Sequence, residues 1–191
     1  MFKELVKQSR SYRGYDEARK VTRDELESFV DCARIAPSTA NIQPLKYYVA
    51  CEEEIVTLIQ SLTKWAGALP ELNLPYKGTY PTAFIVICQD MLIGKSLSQF
   101  QKDVGIVAQT MLLAAAEVGL GGCMIGSFSA EKVKETLQLE EHIIPVLVVA
   151  FGKGDESIIV TEVEDGDSVK YYRDEEGNHY VPKRKLQDIL L

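Results

Sequence analysis

Residues 103–128 read Asp103-Val-Gly-Ile-Val-Ala-Gln-Thr-Met-Leu-Leu-Ala-Ala-Ala-Glu-Val-Gly-Leu-Gly-Gly-Cys-Met-Ile-Gly-Ser-Phe128. From Val104 to Val118 good helix formers dominate despite one early glycine, which predicts a helix. Asp103, Thr110 and Glu117 recur at heptad spacing, predicting one thin polar stripe on an otherwise apolar cylinder. A helix that is apolar nearly all round must be covered nearly all round. At about fifteen residues and ~1.5 Å rise each, it is too short to cross a bilayer. Gly105, Ala108 and Ala115 form a small-residue face that another helix can approach closely. The expectation is a central core helix of the kind two subunits share. The chain then breaks at Gly119-Leu-Gly121-Gly122 and runs through Cys123-Met-Ile125 to Gly126. One reading is a helix end followed by a strand. The other is glycines that admit a ligand to the backbone.

The rest of the composition narrows the class. With 191 residues, a single domain over 1–191 can bury a sizeable core. Apolar residues make up 46% of the chain, and the mean hydropathy of −0.05 is that of an ordinary globular protein. No apolar run has membrane-span length, and Met-Phe-Lys-Glu-Leu-Val-Lys carries charge where a signal peptide needs an apolar block, so the expected location is cytoplasmic. Cys32, Cys51, Cys88 and Cys123 are well separated and lack a CxxC pair, so buried reduced thiols are expected rather than disulfides or a metal site. A net charge of −7 argues against nucleic acid and anionic membranes as bulk partners. Against that background two basic clusters stand out, Arg10-Ser-Tyr-Arg13 and Lys183-Arg184-Lys185.

Taken in order, Phe2, Leu5 and Val6 predict a short first helix ending near Ser9. Arginine forks and a serine hydroxyl in Arg10-Ser11-Tyr-Arg13 suit phosphate. Thr22-Arg-Asp-Glu25 is a capping box that opens a helix with Leu26, Phe29, Val30 and Ala33 inward, and Pro37 stops it. In Ala36-Pro-Ser-Thr-Ala-Asn41-Ile-Gln43-Pro44, the side chains of Ser38, Thr39, Asn41 and Gln43 can read a polar heterocycle or sugar, although a turn-rich connector has the same composition. Strands are expected at 46–51, 83–88 and 143–151, and a helix at 52–62 with Ile55, Leu58, Ile59 and Leu62 on its inner side. The irregular 63–82 stretch is long enough to be a lid or binding loop. A further helix begins at Ser129 with Val133 and Leu137 inward, and the tail from Val169 alternates and turns at 175–178, as a hairpin does.

No arrangement suits hydrolysis or metal binding. His142 and His179 lie in polar contexts far apart and are expected at the surface. The glycines at 119–122 follow a helix and precede a strand, the reverse of the dinucleotide fingerprint.

Together, Arg10-Ser11-x-Arg13, Ala36-Pro-Ser-x-x-Asn-x-Gln-Pro44, Gly119-Leu-Gly-Gly-Cys-Met-Ile-Gly126 and Pro182-Lys-Arg184 resemble the FMN-dependent nitroreductase family nearly end to end. The resemblance implies an α+β fold, a mainly antiparallel sheet flanked by helices, and an intertwined homodimer with flavin at its interface. It implies that Arg10, Ser11, Arg13, Lys183 and Arg184 hold the phosphate and ribityl end of FMN. Pro37, Ser38, Thr39 and Asn41 would line the flavin from the partner subunit, and Ile125 and Gly126 would present backbone to the isoalloxazine. The implied activity is hydride transfer from NADH or NADPH to FMN and on to a small electron-poor acceptor such as a nitroaromatic or quinone. No side chain is then required as acid or base, because the chemistry belongs to the cofactor. Other readings are a related flavoenzyme with a different reaction (dehalogenation or flavin fragmentation) and a flavin-binding module without turnover. Two departures from the family pattern are Ser9, where a basic residue is common, and Leu45, where tryptophan commonly follows Gln-Pro. The C-terminal contact is open between Lys183, Arg184 and Lys185.

Overall fold

The computed structural model describes residues 2–191, apart from the side chain of Pro70. In chain order the elements are α1 (Phe2–Gln8), β1 (Tyr15–Asp16), α2 (Arg23–Arg34), β2 (Leu45–Ala50), α3 (Glu53–Ser61), β3 (Ala83–Asp90), α4 (Gln101–Glu117), β4 (Gly121–Ile125), α5 (Ala130–Thr136), β5 (Ile143–Gly154), β6 (Ile158–Val163), β7 (Tyr172–Arg173) and β8 (His179–Arg184).

The fold is α+β, built on an antiparallel sheet of order β1-β5-β3-β2, with β4 also paired to β5. β3 is buried along its whole length because helices cover both faces of the sheet. Side chains alternate between faces in a strand. Ile85, Ile87, Val149 and Phe151 accordingly join Leu26, Phe29, Ala33, Ala108, Met111 and Ala115 of α2 and α4. Phe84, Val86, Val148 and Ala150 join Val56 and Ile59 of α3 and Val133 and Leu137 at α5. The Phe29 and Phe151 rings sit 5.5 Å apart across the first of these layers. Each buried Val, Leu, Ile, Phe or Met of these layers contributes ~1.5–3 kcal/mol by leaving water.

Local signals explain the element boundaries. Thr22 and Glu25 form the full capping box of α2. Ser129 caps α5. Gly119, at φ +76°, takes the left-handed position that ends helices, and β4 starts two residues later. Of the two readings of Gly119–Ile125, the helix end followed by a strand therefore describes the backbone.

Four expectations are corrected. Asp103 does not continue a surface stripe; it is 2% exposed and bonded inside the chain. Gly105 lies on the exposed side of α4 with open space around it, whereas Ala108 and Ala115 pack inward. On α3 the buried residues are Val56 and Ile59, while Leu58 is exposed: at 100° per residue Ile55, Val56 and Ile59 cluster on one side of the helix and Leu58 falls well off it. The tail hairpin of β7 and β8 acquires a third strand, β6, parallel to β8. Of the cysteines, Cys88 and Cys123 are buried, whereas Cys32 is exposed. Among the described residues no helix is long and apolar enough to cross a membrane.

Candidate functional site

Directly after α1 the chain passes along β4: Ser11 bridges Gly122, and the Tyr12 amide donates to the Gly122 carbonyl at 3.1 Å. The Tyr12 ring drops between Gly121 and Gly154. A Cβ on either glycine would lie 2.4 Å from a ring atom, so only glycine leaves that slot open. With Tyr12 pinned on one side, its neighbours Ser11 and Arg13 border a cleft of about 260 Å³.

Arg10, Ser11, Arg13 and Lys183 line that cleft together, beside Gln109 and Leu112 of α4, Met124 of β4, and Tyr171 and His179. Arg10 donates from Nε to the Ser9 carbonyl and from Nη2 to that of Val6, both at 2.8 Å, so it also closes the end of α1. The Arg13 guanidinium stands 4.8 Å from the centre of the Tyr171 ring. Its backbone amide donates to Glu156, whose nearly buried carboxylate also receives Arg173. That carboxylate neutralises Arg173, while Arg10, Arg13 and Lys183 have no side-chain ion pair among the described residues.

Strand alternation decides the C-terminal register. His179, Val181 and Lys183 share the cleft-facing side of β8. Arg184 lies 3.5 Å from Asp165, and Lys185 pairs with Glu164. The structure thus brings Lys183 to the Arg10–Arg13 cluster and directs Arg184 elsewhere.

Of the second group, Pro37 and Ser38 line a different cleft of about 160 Å³ together with Gln43, Tyr47, Asp103 and Val107 among others, whereas Thr39 and Asn41 follow in the chain without lining it. Asp103 organises it. Its carboxylate accepts from the Ser38 hydroxyl at 2.7 Å, the Thr39 hydroxyl at 2.6 Å and the Thr39 amide at 2.8 Å. Burial alone would raise the Asp103 carboxyl, but these bonds outweigh it and hold it below the ordinary aspartate range. Burial and then the charge of Asp103 push the Tyr47 phenol up to about 12. Beyond Thr39, Ala40, Asn41 and Gln43 all adopt left-handed backbone at φ 49°, 56° and 55°. The Gln43 amide donates back to Asn41 at 3.0 Å.

At 100° per residue, Asp103 and Val107 lie on nearly the opposite side of α4 from Gln109 and Leu112. The helix thus separates the two clefts within one chain. Ile125 is buried among α3 and α5 residues, and Gly126 is exposed just past the end of β4, where a Cβ would meet no atom of the described residues within 4 Å. The long 63–82 loop closes against that end, with the Lys64 amide donating to the Ser127 carbonyl at 2.8 Å. Burial raises the Cys123 thiol, with Arg13 opposing, so it packs as a neutral thiol.

His179 corrects another expectation: it is 1% exposed rather than superficial. Met124, Gln109, Leu112 and Tyr171 join the cleft beyond the residues that the sequence motifs mark. Gln109 carried a signal, as an isolated polar residue on an apolar helix; the others are apolar or aromatic residues indistinguishable from core. A larger cavity of about 580 Å³ beside α3 has, among the described residues, Lys20 as its one basic lining residue, alongside Glu17 and Glu53. Among the described residues, no group of three or more His, Cys, Asp or Glu is placed to hold a metal ion.

The chain is similar to known proteins in sequence and in fold. The FMN reductase (NADPH) of Bacillus subtilis is 27% identical over 171 residues, covering 78% of this chain and 64% of that protein. The oxygen-insensitive NADPH nitroreductase of Helicobacter pylori is 25% identical over 183 residues, covering 79% and 86%. The solved structure of a nitroreductase family protein from Streptococcus pneumoniae superposes with a TM-score of 0.72 at 21% identity, covering 100% of this chain and 99% of that one. The family model described as the nitroreductase family matches residues 6–153, the span that carries the antiparallel sheet, both helical layers and the Arg10–Arg13 and Asp103 sites, and the chain belongs to that family.

Proposed function

We propose that the chain is an FMN-dependent NAD(P)H oxidoreductase that reduces nitroaromatics, quinones or similar electron-poor acceptors, and that it acts as a homodimer. The observation carrying this reading is the convergence of Arg10, Ser11, Arg13 and Lys183, from opposite ends of an acidic chain, on one cleft. Forked guanidiniums, an ammonium and a hydroxyl form a donor set suited to a phosphate monoester. Each charge-assisted bond contributes roughly 1.5–3 kcal/mol.

Bound FMN supplies the redox chemistry, taking reducing equivalents from NADH or NADPH and passing them to the acceptor. The protein's part is to hold and orient. Arg10, Arg13 and Lys183 grip the phosphate, with Ser11 as a further donor; Arg184, turned towards Asp165, is left out of this set. Arg13 is kept in place by Tyr171 and by Glu156 on its own amide. Ile125 and Gly126 offer backbone to the ring from the end of β4, where a side chain at Gly126 would intrude on nothing but a ligand.

The Pro37-Ser38-Thr39 and Asn41 segment belongs to the flavin site of the other subunit. It lies across α4 from the phosphate cleft, so one chain cannot bring both groups to one ligand. Apolar surface available for pairing supports this arrangement: Phe2 and Val6 on α1, Ile106 on α4, and Leu186, Ile189 and Leu190 at the C-terminus are all exposed.

The test is a flavin titration followed by anaerobic addition of NADH or NADPH. FMN should bind, bleach, and regain its colour on addition of a nitroaromatic or quinone. Protein that takes up no FMN overturns the reading, and protein that binds FMN without bleaching is a binding module. Sedimentation of a stable flavin-loaded monomer would refute the dimer.

A further inference from the structure

His179 opens β8 and faces the phosphate cleft, yet it is 1% exposed, and neither Nδ1 nor Nε2 has a hydrogen-bond partner among the described residues. Its backbone amide is already satisfied by the Ser157 carbonyl at 2.8 Å. Its ring lies 5.3 Å from that of Tyr171 at 56°, a packing contact any aromatic could make. Buried polar groups are ordinarily bonded, and an orphaned one calls for an explanation.

The charges around this imidazole supply one. Arg13 reaches it from the segment before β1, and Arg173 from β7. Lys183 lies further along its own strand on the same cleft. The carboxylate that joins these two arginines, Glu156 between β5 and β6, is committed to Arg173 and the Arg13 amide. Burial, then Arg13 and Arg173, push the imidazole down to about 4, so at neutral pH it is uncharged, with one nitrogen donating and the other accepting. An anion entering among these cations would reverse their effect, because an opposite charge within a few ångströms favours the protonated form.

Resting on the flavin reading, we propose that His179 is a further ligand of the phosphate group and that its imidazole takes up one proton from solvent as the phosphate binds. No covalent bond changes; the acceptor nitrogen becomes a second donor, and the imidazolium makes a charge-assisted bond to a phosphate oxygen. Binding of a phosphate-bearing flavin is thereby linked to pH, while binding of the same ring without phosphate is not.

Affinity is to be measured by quenching of flavin fluorescence between pH 7.5 and 5.5 on flavin-free wild-type protein and on His179→Asn, with FMN and with riboflavin. Titration of the free FMN phosphate is common to both proteins and cancels in their ratio. For FMN the wild-type advantage should grow as pH falls, approaching about tenfold per pH unit where a whole proton is taken up. For riboflavin it should stay flat. A flat ratio for FMN overturns the inference alone, whereas a wild-type protein that binds no FMN at all overturns the flavin reading with it. The proton can also be followed without touching His179. The chain has two histidines, so His142→Gln assigns the His179 ring resonance by elimination. Its titration midpoint should rise when FMN is added, and an unmoved midpoint refutes the proposal whatever the Asn variant does.

Discussion

Thr39 reaches Asp103 twice, through its hydroxyl at 2.6 Å and its backbone amide at 2.8 Å, tying α4 to a segment 64 residues earlier in the chain. The residues that follow sit in left-handed backbone at Ala40, Asn41 and Gln43, a conformation that costs about 1–2 kcal/mol per non-glycine residue. Asp103→Ala leaves an amide and two hydroxyls without their acceptor, at roughly 1–3 kcal/mol for a buried group. It should lower stability in urea by about that amount and weaken FMN binding. Asp103→Asn keeps an acceptor oxygen and should retain more of both. An Ala variant with wild-type stability would show that the loop holds itself.

The two basic residues Lys183 and Arg184 should behave differently. Lys183→Ala and Arg13→Ala should each weaken FMN binding by roughly one to two decades, at ~1.4 kcal/mol per tenfold. Arg184→Ala should stay within about twofold of wild type, because its partner is exposed Asp165 and surface pairs contribute little. Equal losses at 183 and 184 in a fluorescence titration would contradict the strand register.

Gly121→Ala places a methyl group 2.4 Å from the Tyr12 ring. Overpacking of this kind costs about 1–3 kcal/mol. Since Ser11 and Arg13 flank Tyr12, the variant should lose phosphate affinity along with stability. Tyr12→Phe, which gives up only a 3.5 Å contact to the Gln8 carbonyl, should bind FMN normally.

At Gly126 the chain itself offers a side chain open space, so Gly126→Val should unfold at the wild-type urea concentration. If the ring rests against this backbone, flavin reduction measured by stopped flow should nevertheless slow by about a hundredfold, the effect of a displacement near 1 Å. Cys123→Ala, a change to a buried and protonated thiol, should keep most of that activity and lose stability instead. Unchanged reduction in Gly126→Val with activity abolished in Cys123→Ala would reverse these roles.

Flavin-free protein should lose stability in mild acid. The His179 imidazole binds its proton at about 4 in the folded chain against 6.5 ordinarily, so above about pH 6.5 it exacts no penalty. Below that the unfolded chain takes up the proton first, and stability falls by at most ~1.4 kcal/mol per unit until about pH 4. Asp103, held below its ordinary 3.8, stabilises the fold above that value and gives up its contribution at lower pH still. Urea midpoints at pH 7.5, 6 and 5 should show the first loss, and His179→Phe should flatten it.

The parts of the fold that local chemistry dictates were legible in the sequence. The Thr22–Glu25 box, the Ser129 cap and the unbroken apolar run of β3 each announce themselves over a few residues. What escaped depended on contacts made at long range. Asp103 reads as a surface residue until Ser38 and Thr39 arrive to bond it. His179 sits among polar neighbours in sequence and is buried because β6 and Tyr171 close over β8. β6 itself alternates weakly and owes its existence to pairing with a strand that comes later in the chain. The two basic clusters were visible as composition, but only the pleat of β8 distinguishes Lys183 from Arg184.

A helix bordering one cleft with Gln109 and Leu112 and another with Asp103 and Val107 has a consequence for genetics. In the proposed dimer each site takes its phosphate grip from one subunit and its ring-lining loop from the other. A chain lacking Arg13 and a chain lacking Asp103 are each defective in both sites when paired with themselves. Paired with one another, they concentrate both lesions in one site and leave its twin intact. Co-expression of the two crippled genes should therefore restore about half a wild-type dimer's turnover to each mixed pair.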